Sequence, residues 1–133
     1  MSVAKRVLVV EDDIATREVL VDALKHLGYD VLEASSVADA ARVKEFDIAL
    51  LDLHLPDGSG LVVLKGWRER GVDAPVLVIT ADRAAEVIDR ALVSLDAWDY
   101  LPKPFDLDAL EATVSDALAR AGERRSIEKR LAG

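Results

Sequence analysis

Three short stretches of the chain are almost purely apolar: Val7 to Val10, Ile48 to Leu51 and Val76 to Ile79. Continuous Val/Ile/Leu runs of this length predict strands buried on both faces, as in a parallel sheet covered by helices. Between them the apolar period changes. Leu20, Ala23, Leu24 and Leu27 fall on one helical face that stops at Gly28. A second strand is expected over Tyr29 to Glu33, and Ser36 can cap a short helix through Lys44. A third helix runs from Gly60 to Gly71 and a fourth from Ala84 to Ser94. Trp98 to Leu101 forms a short last strand, and Asp106 caps a final helix that begins at Leu107.

Strands alternating with helices in this way predict an α/β fold, a doubly wound five-stranded parallel sheet, because parallel neighbours are joined by right-handed helical crossovers. Ligands of such sheets bind beyond the carboxyl ends of the strands, where strand order reverses. Polar residues collect there. Glu11 and Asp12 follow the first strand, Asp52 the third, Thr80 ends the fourth and Lys103 follows the fifth. In the flavodoxin-like (βα)5 order 2-1-3-4-5, the first and third strands are neighbours, so Glu11, Asp12 and Asp52 converge. Three carboxylates that close repel one another and invite a hard divalent cation, for which Mg²⁺ is the usual intracellular candidate. Each residue also has a plainer role open to it. Asp12 or Asp13 can cap the first helix, Thr80 the turn after its strand, Asp52 can accept from loop amides, and Lys103 can simply neutralise acids.

Composition narrows the classes. With 133 residues and 51% hydrophobic content the chain fills one core, so one domain plus a short tail is expected. Cysteine is absent, which excludes disulfides, thiolate zinc sites and cysteine nucleophiles. The start MSVAKRVLVVEDD has no signal-peptide core, and no uncharged apolar run approaches a membrane span, so the chain reads as cytoplasmic with no membrane partner. Residues 1–119 carry 12 Lys/Arg against 23 Asp/Glu, whereas residues 120–133 carry 5 against 2. The acidic body repels phosphate backbones, and direct nucleic-acid binding by this segment is not expected.

The segments VLVVEDD, LLDLHLPDGSG, VLVITA and DYLPKPF, in that order, resemble the bacterial two-component response-regulator receiver domain, chemotaxis-regulator-like, over residues 5 to about 120. The resemblance implies that Asp52 is a phosphoacceptor, its carboxylate attacking a phosphohistidine on a sensor histidine kinase or phosphotransfer protein. It implies that Mg²⁺ is held by Asp12, Asp52 and the backbone carbonyl of His54, with Glu11 acting through water. Thr80 and Lys103 would grip the phosphoryl oxygens. Movement of Thr80 would let Tyr100 turn inward and reshape the face made by the fourth helix, fifth strand and fifth helix, a surface through which phosphorylated copies pair. It further implies a cis Lys103–Pro104 bond, and places His54 and Asp82 beside the path of the water that hydrolyses the aspartyl phosphate. Such a protein catalyses only its own phosphorylation and dephosphorylation. It is otherwise not an enzyme.

Some positions depart from the family's pattern. Asp96 stands where glycine is frequent, and Trp98 is large for a place near the switching face; Leu55 and Ser59 are ordinary variants. His26, late in the first helix, suits solvent and the helix dipole rather than phosphotransfer. A flavin carrier would share the fold, but EDDIAT offers carboxylates where a phosphate cradle needs amides. An aspartyl phosphatase carries a second Asp two residues after the first, where this chain has His54. The receiver is expected over residues 1–121 and a charged helical tail or linker over 122–133. The stripe of Leu118, Ala121, Ile127 and Leu131 resembles a linker helix and favours the N-terminal receiver of a transcriptional regulator; a stand-alone regulator acting through protein contacts is the alternative.

Overall fold

A computed structural model describes residues 3–132. In the sheet, β1 (Arg6–Val10), β2 (Asp30–Ala34) and β3 (Ile48–Leu51) alternate with α1 (Ile14–His26) and α2 (Val37–Ala41). A two-stranded hairpin follows, β4 (His54–Leu55) and β5 (Gly58–Ser59), and leads into α3 (Gly60–Glu69). Next come β6 (Val76–Thr80), α4 (Ala85–Asp89) continued by a π-helical turn over Arg90–Ser94, β7 (Asp99–Pro102) and α5 (Leu107–Ala132). The main sheet is parallel with order β2-β1-β3-β6-β7, the flavodoxin-like order expected from the sequence.

The unbroken apolar runs are explained by a sheet covered on both sides. Leu8, Val10, Ala49, Leu51, Val76 and Val78 pack into the layer that contains Val63, Leu64 and Trp67 of α3. Their sequence neighbours Val7, Val9, Ile48, Leu50, Leu77 and Ile79 pack on the other side, against Leu20 and Leu24 of α1 and Leu110, Val114 and Ala117 of α5. Each strand therefore supplies both layers with the two-residue period of a pleated chain. Trp67 is fully buried, its ring 4.9 Å from that of Phe46, and its indole N–H donates to the Val43 carbonyl at 3.1 Å.

α2 is shorter than expected. The helix stops at Ala41 rather than Lys44. Its end tightens into three-residue bonds, Arg42 N–H donating to the Asp39 carbonyl at 3.3 Å and Val43 N–H to that of Ala40 at 3.1 Å, and the Ala41 carbonyl accepts from the Arg70 guanidinium at 3.2 Å. The fourth helix differs too, because its second half is a π turn closed by Leu95 N–H donating to the Arg90 carbonyl at 2.9 Å. Asp96, where glycine is frequent, takes φ 55°, the left-handed region that Asp tolerates better than most residues. The ring of Trp98 packs with the α1/α5 layer and that of Tyr100 with the opposite one, and both are half-buried. α5 runs through Gly122 without interruption; from Glu123 onward every described residue is exposed.

Candidate functional site

The buried polar side chains of the described residues are Glu11, Asp52 and Thr80, and all three stand at the carboxyl edge of the sheet. β1 and β3 are adjacent, which puts their terminal acids together. Glu11, Asp12 and Asp52 each offer a carboxylate oxygen within 4.8 Å of the others, an arrangement able to hold a metal ion. Lys103 follows β7 two strands away and reaches across: its ammonium donates to Glu11 Oε1 and, at 2.6 Å, to Asp52 Oδ2. The Lys103 amide donates to the Thr80 carbonyl at 3.0 Å, and the Lys103–Pro104 bond is cis.

Local bonds fix each member. Asp52 Oδ1 accepts from the His54 amide at 3.1 Å, and Glu11 Oε2 accepts from the Asp13 amide at 3.2 Å. Asp13 caps α1 with one carboxylate oxygen that takes both the Thr16 amide at 2.9 Å and its hydroxyl at 2.6 Å, so it lies outside the acidic cluster. Gly60 opens α3 directly behind the site. A Cβ there would lie 2.9 Å from Leu53 Cα and nearer still to the Asp52 carbonyl oxygen, so only glycine lets α3 approach the Asp52 backbone this closely.

Asp82 joins several parts of the rim. Its amide donates to Thr80 Oγ1 at 3.2 Å, its Oδ1 accepts from the Ala84 amide at 2.9 Å before α4, and its carbonyl accepts the Tyr100 hydroxyl at 2.9 Å. Its Oδ2 lies 3.1 Å from His54 Nε2. Residues 54 and 82, paired in the sequence only by resemblance, thus touch across the mouth of the site. His26 sits in the last turn of α1, away from this edge.

Two contacts carried no sequence signal of their own. Arg17, one turn into α1, folds back onto the backbone of Glu11 and Asp12. Asp57, in the hairpin turn, accepts from the Val37 and Ala38 amides at 2.7 and 3.0 Å and caps α2 from outside, which lowers its own pKa. The Asp-Gly pair at 57–58 marks a turn, but its partner 20 residues earlier has no counterpart in local sequence.

This is a doubly wound fold with an acidic cluster and a bridging lysine at the edge where strand order reverses. A family model described as response regulator receiver domain matches residues 7–115, and the chain belongs to that family. It is 40% identical over 129 residues to the transcriptional regulatory protein PmrA of Pectobacterium parmentieri, covering 93% of this chain and 56% of that protein. It is 35% identical over 130 residues to the swarming motility regulation protein RssB of Serratia marcescens, covering 96% and 54%. The chain therefore spans about half the length of these curated relatives. Among solved structures it is similar to the non-phosphorylated HemR receiver domain of Leptospira biflexa, with TM-score 0.79, 32% identity, and 86% and 94% of the two chains covered. It is also similar to a two-component response regulator from Clostridium difficile, with TM-score 0.81, 26% identity, and 88% and 98% covered.

The electrostatics of the cluster follow from burial. Glu11 is pushed above its ordinary value first by desolvation and then by the nearby Asp52 charge, which together outweigh the Lys103 and Asp13 donors. Burial works to lower the Lys103 pKa, but its bonds to Asp52 and Glu11 prevail and raise it. Folded protein thus holds the Glu11 proton more tightly than the unfolded chain does. Stability from this group is fullest below the ordinary glutamate value of 4.5 and is lost as pH rises through the raised one. In metal-free buffer, the parent should therefore lose stability relative to Glu11→Gln as the pH is raised above that ordinary value, with urea unfolding at a series of pH values giving the difference.

Proposed function

We propose that Asp52 is the phosphoacceptor of a signalling switch that takes its phosphoryl group from a sensor histidine kinase or phosphotransfer protein. The observation that carries this reading is the buried Asp52 carboxylate, held between the Lys103 ammonium and the His54 amide at the edge of a receiver fold. An Asp52 oxygen forms the new O–P bond as the P–N bond to the donor imidazole breaks. Lys103, already against Asp52, is placed to meet a phosphoryl oxygen, and the buried Thr80 hydroxyl stands at the end of the next strand.

The donor set suits Mg²⁺, a hard cation that takes carboxylate and carbonyl oxygens. Asp12, Asp52 and the His54 carbonyl would hold it directly and Glu11 through water. When bound, it supplies positive charge to the transferring phosphoryl group. The chain turns over no other substrate in this reading, and works in the cytoplasm.

Tyr100 and Thr80 connect the site to the rest of the domain. Both are bonded to Asp82, the hydroxyl of Tyr100 to its carbonyl and Oγ1 of Thr80 to its amide. A phosphoryl group that engages Thr80 Oγ1 changes this junction, and with it the balance of conformers at the face of α4, β7 and α5. That face is the surface through which phosphorylated copies pair. The transcriptional regulator among the relatives supports a receiver over residues 1–121 followed by a helical linker over 122–133 that leads to an output unit.

Incubation with acetyl phosphate and Mg²⁺ should add one phosphate by intact mass; labelling of Asp52→Asn to the parent's extent would refute the assignment. The imidazole of His54 and the carboxylate of Asp82, in contact over the mouth, narrow the approach of hydrolytic water. His54→Ala should speed decay of the phosphorylated protein after donor removal while leaving Mg²⁺ affinity nearly intact. An unchanged decay rate would remove His54 from the control of lifetime.

A further inference from the structure

We infer that Arg17 is a positioning residue for the metal site, holding in place the backbone from which Glu11 and Asp12 project. The inference rests on the reading of Glu11, Asp12 and Asp52 as a Mg²⁺ site. Arg17 lies on α1, its side chain only 20% exposed. Its Nη1 donates to the Glu11 carbonyl at 2.8 Å and lies 3.4 Å from that of Asp12, while Nε donates to Glu33 Oε1 on β2 at 3.2 Å. Glu11 N–H is already bonded to the Ala34 carbonyl at the end of β2 at 3.0 Å. The loop leaving β1 is thus stitched to β2 twice, once by its own amide and once through the guanidinium.

The chemistry of the loop gives this stitch a purpose. Three carboxylates brought within 4.8 Å repel, and a loop free to swing would relieve the repulsion by moving Asp12 away. Bonds to the carbonyls of residues 11 and 12 hold the two peptide units whose side chains supply the oxygens. The guanidinium also sets a fixed cation behind them. Arginine suits the task because its rigid fork serves backbone carbonyls through one nitrogen and a carboxylate through another. Lysine keeps the charge but offers one compact ammonium, unable to reproduce that geometry. Among the described residues, Arg17 is the cation bonded to the backbone of this loop, whereas Lys103 meets the carboxylates themselves.

The test is calorimetric titration of Mg²⁺ alone into the 133-residue chain and its variants, with metal-free melting temperatures measured alongside. Arg17→Gln should bind Mg²⁺ about tenfold more weakly, the scale of groups that orient metal ligands, with Arg17→Lys between it and the parent. Trp67→Phe, which removes the indole bond to Val43 far from the cluster, is the control: it should lower the melting temperature and leave Mg²⁺ affinity alone. Arg17→Gln affinity within about twofold of the parent would overturn the inference. So would an equal loss of affinity in Trp67→Phe, since general loosening would then account for it. Absence of Mg²⁺ binding by the parent would remove the metal reading itself, and the inference with it.

Discussion

The ammonium of Lys103, lodged between Glu11 and Asp52, is the contact on which the site depends. A buried carboxylate without a partner is costly, and two of them side by side cost more. The fold concentrates acids at one edge because β1 and β3 are neighbours and each is followed directly by an acidic residue. A cation from elsewhere makes that edge tolerable without metal, and β7, two strands from β3, delivers one. The same ammonium that stabilises the resting arrangement is where an incoming phosphoryl group would find its counter-charge. Stability and chemistry here use one interaction.

Around this contact the chain builds supports that each constrain the site from a different element. Gly60 lets α3 come up behind Asp52, the hairpin carries His54 past it, and Asp57 anchors that hairpin on α2. On the far rim Asp82 ties Thr80, Tyr100, His54 and the start of α4 into one junction. A charge added at Asp52 therefore acts on a connected set of bonds. Such connectivity lets a local event shift the population of conformers at a distant face.

The apolar runs and helical spacings made the doubly wound parallel class and the polar strand ends legible in the sequence, since strand ends follow from where buried runs stop, whereas the convergence of the acids followed only once the order 2-1-3-4-5 was assumed. The motifs supplied what spacing alone left open, namely which of several acids serve the site and which merely cap helices; Asp13 at the head of α1 is the case in point. What remained hidden was tertiary. Arg70 covers the Ala41 carbonyl where α2 ends early, and no feature of residues 37–44 records that contact. The π turn in the fourth helix covers five residues, too short a stretch for hydrophobic period to tell it from an α turn. Arg17 and Asp57 act by folding onto backbone atoms, and backbone partners leave no residue type to read.

Trapping the acyl phosphate shows whether Asp52 accepts a phosphoryl group in a reaction that needs metal at the acidic cluster. Reduction of the phosphorylated protein with borohydride converts an aspartyl phosphate to homoserine, which peptide mass spectrometry can locate. Homoserine at residue 52, formed with Mg²⁺ and lost when the metal is chelated before the donor is added, is the predicted result. Homoserine at Asp12 or another acid, or equal conversion of Asp52 in chelator, would rule out a metal-dependent phosphoacceptor at Asp52.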